Sequence, residues 1–188
     1  MKYRAVVMGT SSGGLNALKV ILPALPANFG MPVILVQHIG ASSESYWIEM
    51  LDNQCKLKVK EADEKEEVTP GTVYIAPPNY HLMVERDETL SLSIDARVNF
   101  ARPSIDVLFE SAAPVYRESL VGIVLTGANH DGAGGLLAIK KAGGLTVAQD
   151  PATAESQFMP ATAISTAAPH HVLSLTGIVD LLIKISQI

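Results

Sequence analysis

The stretch Tyr3–Leu22, with the sequence YRAVVMGTSSGGLNALKVIL, decides the fold. Its first residues have the length and apolar content of a buried strand, and apolar residues recur at helical spacing from Leu15 onward. Between them, the glycine–serine turn Gly9–Gly14 allows a sharp bend and leaves backbone N–H groups uncovered at the start of the helix. We therefore predict a strand, a tight turn and a helix, with Ser11 and Ser12 where those N–H groups converge.

The turn by itself leaves three uses open. A phosphate could bind at the N-terminus of the helix, but the P-loop lysine is absent and the glycine spacing departs from G-x-G-x-x-G. The same N–H groups could instead stabilise a developing oxyanion. In the third interpretation, Ser11 or Ser12 only caps the helix. The choice depends on whether the rest of the chain supplies catalytic partners for the serines.

Length, composition and charge limit the class of protein. The 188 residues are 48% hydrophobic, which suits one domain spanning residues 1–188 with a substantial core. The net charge of −5 argues against a nucleic-acid-binding face, which needs clustered Lys and Arg. No apolar run approaches the ~20 residues that span a bilayer, and no signal peptide opens the chain. The single cysteine, Cys55, cannot form an internal disulfide, so we expect a structural thiol in a cytoplasmic protein without membrane insertion.

Short apolar segments alternate with helical patterns along most of the chain. Pro32–Gln37 is a strand candidate before a helical pattern that follows Ser42 and Ser43, and Leu120–Leu125 is another before a small-residue helix. Between them, Leu57–Ile94 breaks into short pieces separated by turn residues, which predicts a meander or a set of hairpins. The whole pattern predicts an α/β fold: a doubly wound, mostly parallel sheet with helices on both faces and an antiparallel β insertion.

Chemistry-bearing residues follow three of the predicted strands. Ser11 follows the first, His38 the second, and Asp131 the strand that ends at Leu125. Because the carboxyl ends of parallel strands meet at one edge of an open sheet, these side chains would converge there. His38 could then take the proton of Ser11 while Asp131 orients the imidazole, through a continuous chain of hydrogen bonds. Spacing alone gives equal weight to a histidine that caps carbonyls and an aspartate that caps the next helix.

Several sequence blocks occur in a fixed order along nearly the entire chain. They are Gly9–Gly14, Val36–His38, Pro70–Pro77, Arg102–Phe109, Leu125–Gly132 and Phe158–Pro160. In number and order these blocks resemble the catalytic domain of the bacterial chemotaxis protein-glutamate methylesterases, the CheB family. The resemblance implies a doubly wound sheet with Ser11 as nucleophile, His38 as general base and acid, and Asp131 as the partner of the histidine.

The resemblance also implies a substrate and partners. Members of the family hydrolyse glutamyl methyl esters on the cytoplasmic signalling helices of methylated chemoreceptors, and some also deamidate receptor glutamines. Members commonly carry a receiver domain, for which a chain that begins two residues before its first predicted strand leaves no room, so a separate regulatory protein is a further candidate partner. Two alternatives stay open: a catalytically weak module that binds receptor or signalling helices, and an esterase for small molecules.

Residues around the triad have predicted roles in binding. The N–H groups near Ser12 and in the Gly127–Ala128 loop are candidates for the oxyanion hole. Arg102 would either orient an acidic substrate helix or form a structural ion pair, with equal weight. No cofactor is expected, and no metal, since neither H-E-x-x-H nor a cysteine pair is present.

Two further histidines have weaker cases. His130 lies beside Asp131, and we expect it at the surface or in a supporting position because neighbouring turn residues commonly point apart. His81 follows the Ala76–Pro78 loop and is a candidate to line the cleft.

Overall fold

The computed structural model describes residues 2–38 and 46–187. The strands in these ranges are β1 (Ala5–Thr10), β2 (Val33–Gln37), β3 (Lys58–Glu61), β4 (Thr72–Ile75), β5 (His81–Val84), β6 (Leu90–Ser93), β7 (Leu120–Val124), β8 (Leu145–Gln149) and β9 (His171–Leu173). The α-helices are α1 (Gly14–Ile21), α2 (Tyr46–Gln54), α3 (Ile105–Tyr116), α4 (Ala133–Lys141), α5 (Phe158–Ala167) and α6 (Leu175–Ser186). The helix start expected near Ser42 and Ser43 lies outside the described residues. Within them, no helix is long and apolar enough to cross a membrane.

One parallel sheet organises the molecule, with the strand order β3-β4-β2-β1-β7-β8-β9. Strand β1 is interior, and its Met8 aligns with Leu35 of β2 on one side and with Ile123 of β7 on the other. After β1 the chain forms β2 beside it, then β3 at the edge and β4 between β3 and β2, and later continues on the opposite side of β1 with β7. The order therefore reverses between β1 and β7, which is where ligand sites form in doubly wound sheets.

Helices cover both faces of this sheet because successive strand residues point to opposite sides. In β1, Val6 and Met8 pack into a core with residues of α1, α2 and α6. Ala5 and Val7 pack into a second core with residues of α3, α4 and α5. All six residues of β1 are buried, which explains why this strand is an apolar run rather than an alternating pattern. The predicted doubly wound α/β architecture is confirmed.

The predicted meander over Leu57–Ile94 is only partly correct. Strands β5 and β6 do form the antiparallel insertion, with Leu82 opposite Leu92. Strands β3 and β4, however, are parallel members of the main sheet, and Val73 of β4 aligns with Val33 of β2. Four residues are too few for the pattern of β3 or β4 to specify an orientation, so pairing with the neighbouring strand decides it.

Candidate active site

The predicted catalytic residues lie together at the carboxyl edge of the sheet. Ser11 follows β1, His38 follows β2, and Asp131 lies in the loop between β7 and α4. Backbone hydrogen bonds hold the strand ends in register: the N–H of Ser11 donates to the Thr126 carbonyl at 3.0 Å, and the N–H of His38 donates to the Thr10 carbonyl at 3.0 Å. The sheet therefore fixes the backbone of the serine and the histidine relative to each other.

Gln37 and two glycines shape the turn that carries Ser11. The side-chain amide of Gln37, buried beneath the turn, donates to the carbonyls of both Ser11 (3.0 Å) and His38 (2.9 Å). Gly13 has φ of 78°, a left-handed conformation that favours glycine. A Cβ at Gly14 would lie 2.1 Å from Oε1 of Gln37, so only glycine fits against this amide.

His38 and Asp131 form the hydrogen bond that a catalytic triad requires. Nε2 of His38 lies 2.8 Å from Oδ2 of Asp131, whose side chain has no solvent exposure, while the histidine side chain is 12% exposed. The pair thus joins a buried carboxylate to an imidazole that reaches the surface of the cleft.

The Asp131 carboxylate is bound by a set of donors at the N-terminus of α3. Oδ1 accepts hydrogen bonds from Ser104 Oγ (2.8 Å), Asn99 Nδ2 (2.9 Å) and the Asp106 N–H (3.1 Å), while Oδ2 accepts from the Ile105 N–H (2.6 Å). Burial alone raises the pKa of Asp131, but these bonds and the one from His38 outweigh it and lower the pKa from 3.8 to about 2. The carboxylate is therefore ionised and acts only as an acceptor.

Asp106 makes the reciprocal contact at the start of α4. Its Oδ1 accepts hydrogen bonds from the N–H groups of Gly132 (3.0 Å) and Gly135 (2.6 Å), and its Oδ2 accepts from Asn99 Nδ2 (2.7 Å). Burial raises the pKa of Asp106, and the nearby charge of Asp131 adds to this rise. The N-terminus of α4 thus binds the Asp106 carboxylate from α3, and the N-terminus of α3 binds the Asp131 carboxylate from the loop before α4. The helix dipoles favour this arrangement.

The expected continuous chain from Ser11 to Asp131 is present only in its second half. The hydroxyl of Ser11 makes no hydrogen bond with His38, although both residues line the same cleft. Instead, Nδ1 of His38 lies 3.0 Å from Nδ2 of Asn129. The nitrogen that would take the serine proton is therefore engaged by an amide.

The loop between β7 and α4 contributes to the proposed oxyanion hole differently from the prediction. The Gly127 N–H donates to the Ser156 carbonyl at 3.1 Å, so in this structure it is not free to bind an oxyanion, and its predicted role stays a prediction. The N–H groups of Ser12 and Ala128 make no hydrogen bond within the described residues and stay candidates. A Cβ at Gly127 would lie 2.6 Å from Sδ of Met159 and 3.0 Å from Cβ of Ser11, so the glycine lets the loop pack closely against both residues.

Arg102 lines the cleft but forms no ion pair with a described residue. Its Nη1 donates to the carbonyls of Ile94 (2.6 Å) and Asp95 (2.9 Å), so the structural-ion-pair interpretation is wrong for the described part of the chain. The cleft has a volume of about 550 Å³, and among the described residues its lining includes Arg97 and Arg102 and no carboxylate.

The remaining histidines divide between the surface and the support of the site. His130 is exposed on the cleft, and its Nε2 lies 3.2 Å from Oδ1 of Asn99. His81 does not line the cleft: it is 1% exposed, its Nδ1 accepts from the Ser104 N–H (3.2 Å), and its Nε2 lies 3.0 Å from the Ala96 carbonyl. The expectation for His81 is therefore wrong, because the hairpin turns it toward the start of α3 instead.

Sequence reasoning assigned no role to the residues that surround Asp131 and His38. Ser104, Asp106, Asn99 and Asn129 reach the site from segments that carry no recognisable catalytic spacing. The block Arg102–Phe109 was recognisable, but its function as a helix start aimed at Asp131 depends on how α3 packs. Within the described residues, no group of three His, Cys, Asp or Glu side chains is placed to hold a metal ion.

The fold and the site define a class: an α/β protein with serine, histidine and aspartate at the switch point of a parallel sheet, the components of a serine hydrolase. A family model described as CheB methylesterase matches residues 6–182, and the chain belongs to the CheB methylesterase family.

Individual relatives agree with this assignment. A protein of Leptospira interrogans, provisionally named as a protein-glutamate methylesterase/protein-glutamine glutaminase, is 56% identical over 100% of this chain and 97% of its own length. An enzyme of the same name from Symbiobacterium thermophilum is 38% identical over 94% of this chain, which spans 49% of that protein. The crystal structure of the Thermotoga maritima CheB methylesterase catalytic domain matches with a TM-score of 0.93 and 34% identity, covering 98% of this chain and 100% of that one.

Proposed function

We propose that this protein is a serine hydrolase that demethylates glutamyl methyl esters on the signalling helices of chemoreceptors. The observation that carries the proposal is the buried, ionised Asp131 bound to His38 at 2.8 Å, on the cleft that Ser11 also lines. The names of the relatives favour this substrate over small-molecule esters. A cytoplasmic location belongs to the proposal because those helices lie in the cytoplasm.

The hydrogen bond to Asp131 supports a proton-transfer role for the other nitrogen of His38. Nε2 is committed to Asp131, so Nδ1 is the nitrogen that accepts the proton of Ser11 as its oxygen attacks the ester carbonyl. The same proton then goes to the departing methanol. Water activated by Nδ1 hydrolyses the acyl-enzyme and releases the glutamate carboxylate.

Two backbone donors that make no hydrogen bond to a described residue suit the negative charge that develops on the carbonyl oxygen. The N–H groups of Ser12 and Ala128 come from the two loops on either side of the cleft. Removing one such donor typically costs about 2.7–4 kcal/mol of transition-state stabilisation. Attack on a glutamine side chain would use the same site with ammonia as the leaving group, so deamidation is part of the proposal.

The rim of the cleft suits a protein substrate. Phe100 and Phe158 line it with 90% and 56% exposure. Arg97 and Arg102 add positive charge in a chain whose net charge is −5. Apolar side chains beside cations are complementary to an amphipathic acidic helix. Such a helix could contact the rim while its esterified side chain enters the cleft, and a separate regulatory protein could control this access.

The test is methanol release from methylated chemoreceptor signalling domains by the protein and its Ser11→Ala variant. We expect release to depend on Ser11, since its hydroxyl is the nucleophile. Cys55→Ser is the matched control: it also alters a nucleophilic side chain, but one half-buried beside α2, and should retain turnover. Equal release by Ser11→Ala would refute the mechanism.

The same assay separates the alternatives. A small-molecule esterase would hydrolyse p-nitrophenyl acetate and leave the receptor esters intact. A binding module would retain receptor fragments in a pull-down and release no methanol from them.

A further inference from the structure

Asn129 contacts the catalytic histidine from the loop between β7 and α4, residues 125–132. We propose that Asn129 is a positioning residue that engages the basic nitrogen of His38 in the resting site, so that Ser11 becomes activated only when this loop releases it. The inference rests on the serine hydrolase function proposed above, and it adds a control point within that site.

The orientation of the Asn129 amide follows from its second contact. Oδ1 of Asn129 lies 3.0 Å from the backbone nitrogen of Asp131, and a backbone N–H can only donate. The oxygen must therefore face Asp131, and Nδ2 must face His38. Asn129 consequently presents an N–H donor to Nδ1 of His38 at 3.0 Å.

The tautomer of His38 follows from both of its neighbours. The ionised Asp131 carboxylate is an acceptor, so Nε2 of His38 carries the hydrogen and donates it at 2.8 Å. The donor from Asn129 requires a lone pair on Nδ1. Two independent contacts thus select the neutral imidazole with its hydrogen on Nε2.

This tautomer has two opposite effects on the proton transfer from Ser11 to His38. It places the lone pair on the nitrogen that must act as base, which prepares the histidine for catalysis. It also uses that lone pair, since Nδ1 has only one, and Ser11 accordingly makes no hydrogen bond with His38. The amide must move before the serine can donate its proton.

The position of Asn129 makes such movement compatible with the fold. Asn129 is half-exposed and lines the cleft with Phe100, Phe158 and Arg102. A side chain entering the cleft would compete for the same space. Asp131, by contrast, is held by α3 and does not depend on Asn129 for its carboxylate contacts.

The first experiment reads the histidine directly, by nitrogen NMR of the protein labelled with ¹⁵N-histidine. Asn129→Ala removes the donor and should shift the resonance of the unprotonated Nδ1. Asn129→Asp keeps the size and the oxygen for the Asp131 N–H but places a carboxylate against Nδ1, so Nδ1 should become protonated at neutral pH. Ser11→Ala is the matched control and should leave the Nδ1 resonance in place.

The second experiment measures the reactivity of Ser11 with diisopropyl fluorophosphate. In this reaction the serine oxygen bonds to phosphorus, fluoride leaves, and the serine proton goes to His38. Asn129→Ala should react about two- to tenfold faster, the range that one net hydrogen bond represents. Asn129→Asp should react more slowly, because its His38 lacks a free lone pair. A merely structural residue would not change the rate in opposite directions in two folded variants.

The outcomes distinguish this proposal from the function on which it rests. An Nδ1 resonance that moves in Ser11→Ala, or that stays in place in Asn129→Ala, overturns the role of Asn129. An unchanged or lower labelling rate in Asn129→Ala does the same. If the wild-type protein releases no methanol from receptor esters while the NMR shifts occur as expected, the substrate assignment fails and the positioning role stands.

Discussion

Replacing Asp131 by asparagine should remove a pH-dependent part of the stability of the fold, in addition to impairing catalysis. The carboxylate is fully buried and accepts hydrogen bonds from His38, Ser104, Asn99 and the start of α3. In the unfolded chain these donors are replaced by water. The folded state therefore prefers the ionised form of Asp131 more strongly than the unfolded state does.

The magnitude follows from the difference in pKa between the two states. The pKa of Asp131 is about 2 in the folded protein, against its ordinary value of 3.8, which represents the unfolded chain. One pKa unit corresponds to about 1.4 kcal/mol, so ionised Asp131 contributes about 2–3 kcal/mol to the free energy of unfolding. Because the folded pKa is the lower one, this contribution is present above pH 3.8 and is lost as the pH falls toward 2.

The assay is urea denaturation of the wild type and Asp131→Asn from about pH 6 to about pH 2.5, the range over which the linkage acts. The variant is expected to be less stable at neutral pH, because its amide N–H₂ faces other donors. The stability difference should shrink by about 2 kcal/mol as the pH falls. Asp106 is present in both proteins, so most of its own titration cancels in the difference.

A constant stability difference across this range would refute the reasoning. If Asp131→Asn does not fold, the ¹³C resonance of the Asp131 carboxyl in the wild type measures the same pKa. An inflection above the ordinary value of 3.8 would then contradict the claim that hydrogen bonds outweigh burial.

Three further predictions follow from particular contacts. Gly135→Ala should destabilise the fold by about 1–3 kcal/mol in urea denaturation, since its Cβ would lie 2.5 Å from a side-chain carbon of α3; Gly134→Ala is the matched control and should stabilise by about 0.5–1 kcal/mol, because its nearest neighbour is 3.5 Å away. A loss in both variants would mean that crowding is not the cause. Ser104→Ala should cost about 1.5–3 kcal/mol of unfolding free energy by removing a donor to the Asp131 carboxylate, and a loss below about 0.5 kcal/mol would show that other donors compensate. Cys55 should react slowly with iodoacetamide at neutral pH, because burial raises its pKa to about 11, and the rate of a free thiol would contradict this.

Much of the sheet could be predicted from local pattern alone. The apolar run at β1, the glycine–serine turn and the helical spacing after it specify one strand–turn–helix unit without reference to any partner. The strand at Leu120–Leu125 was equally clear, and its observed end at Val124 differs by one residue. Orientation was not predictable for β3 and β4, since four-residue strands carry too little pattern to distinguish parallel from antiparallel neighbours.

The convergence of Ser11, His38 and Asp131 followed from the sequence because strand ends in a parallel sheet have only one edge to share. The local roles did not follow. The sequence made Gly127 a reasonable oxyanion donor, because it could not show that the Ser156 carbonyl, distant in sequence, accepts its N–H. The sequence also made His81 a reasonable cleft residue, because it could not show that the hairpin buries this side chain.

The sequence by itself determined the fold class and the three residues that meet at the sheet edge, because periodicity and turn chemistry are local properties. Its ordered blocks carry the resemblance to the family. Only the tertiary structure decided how those residues are tuned. The lowered pKa of Asp131 depends on hydrogen bonds from His38, from Asn99 and from the first N–H groups of α3. The resting state of His38 depends on an amide from the opposite loop. These contacts join segments far apart in the chain, and hydrogen bonds of this kind exist only once the helices have packed.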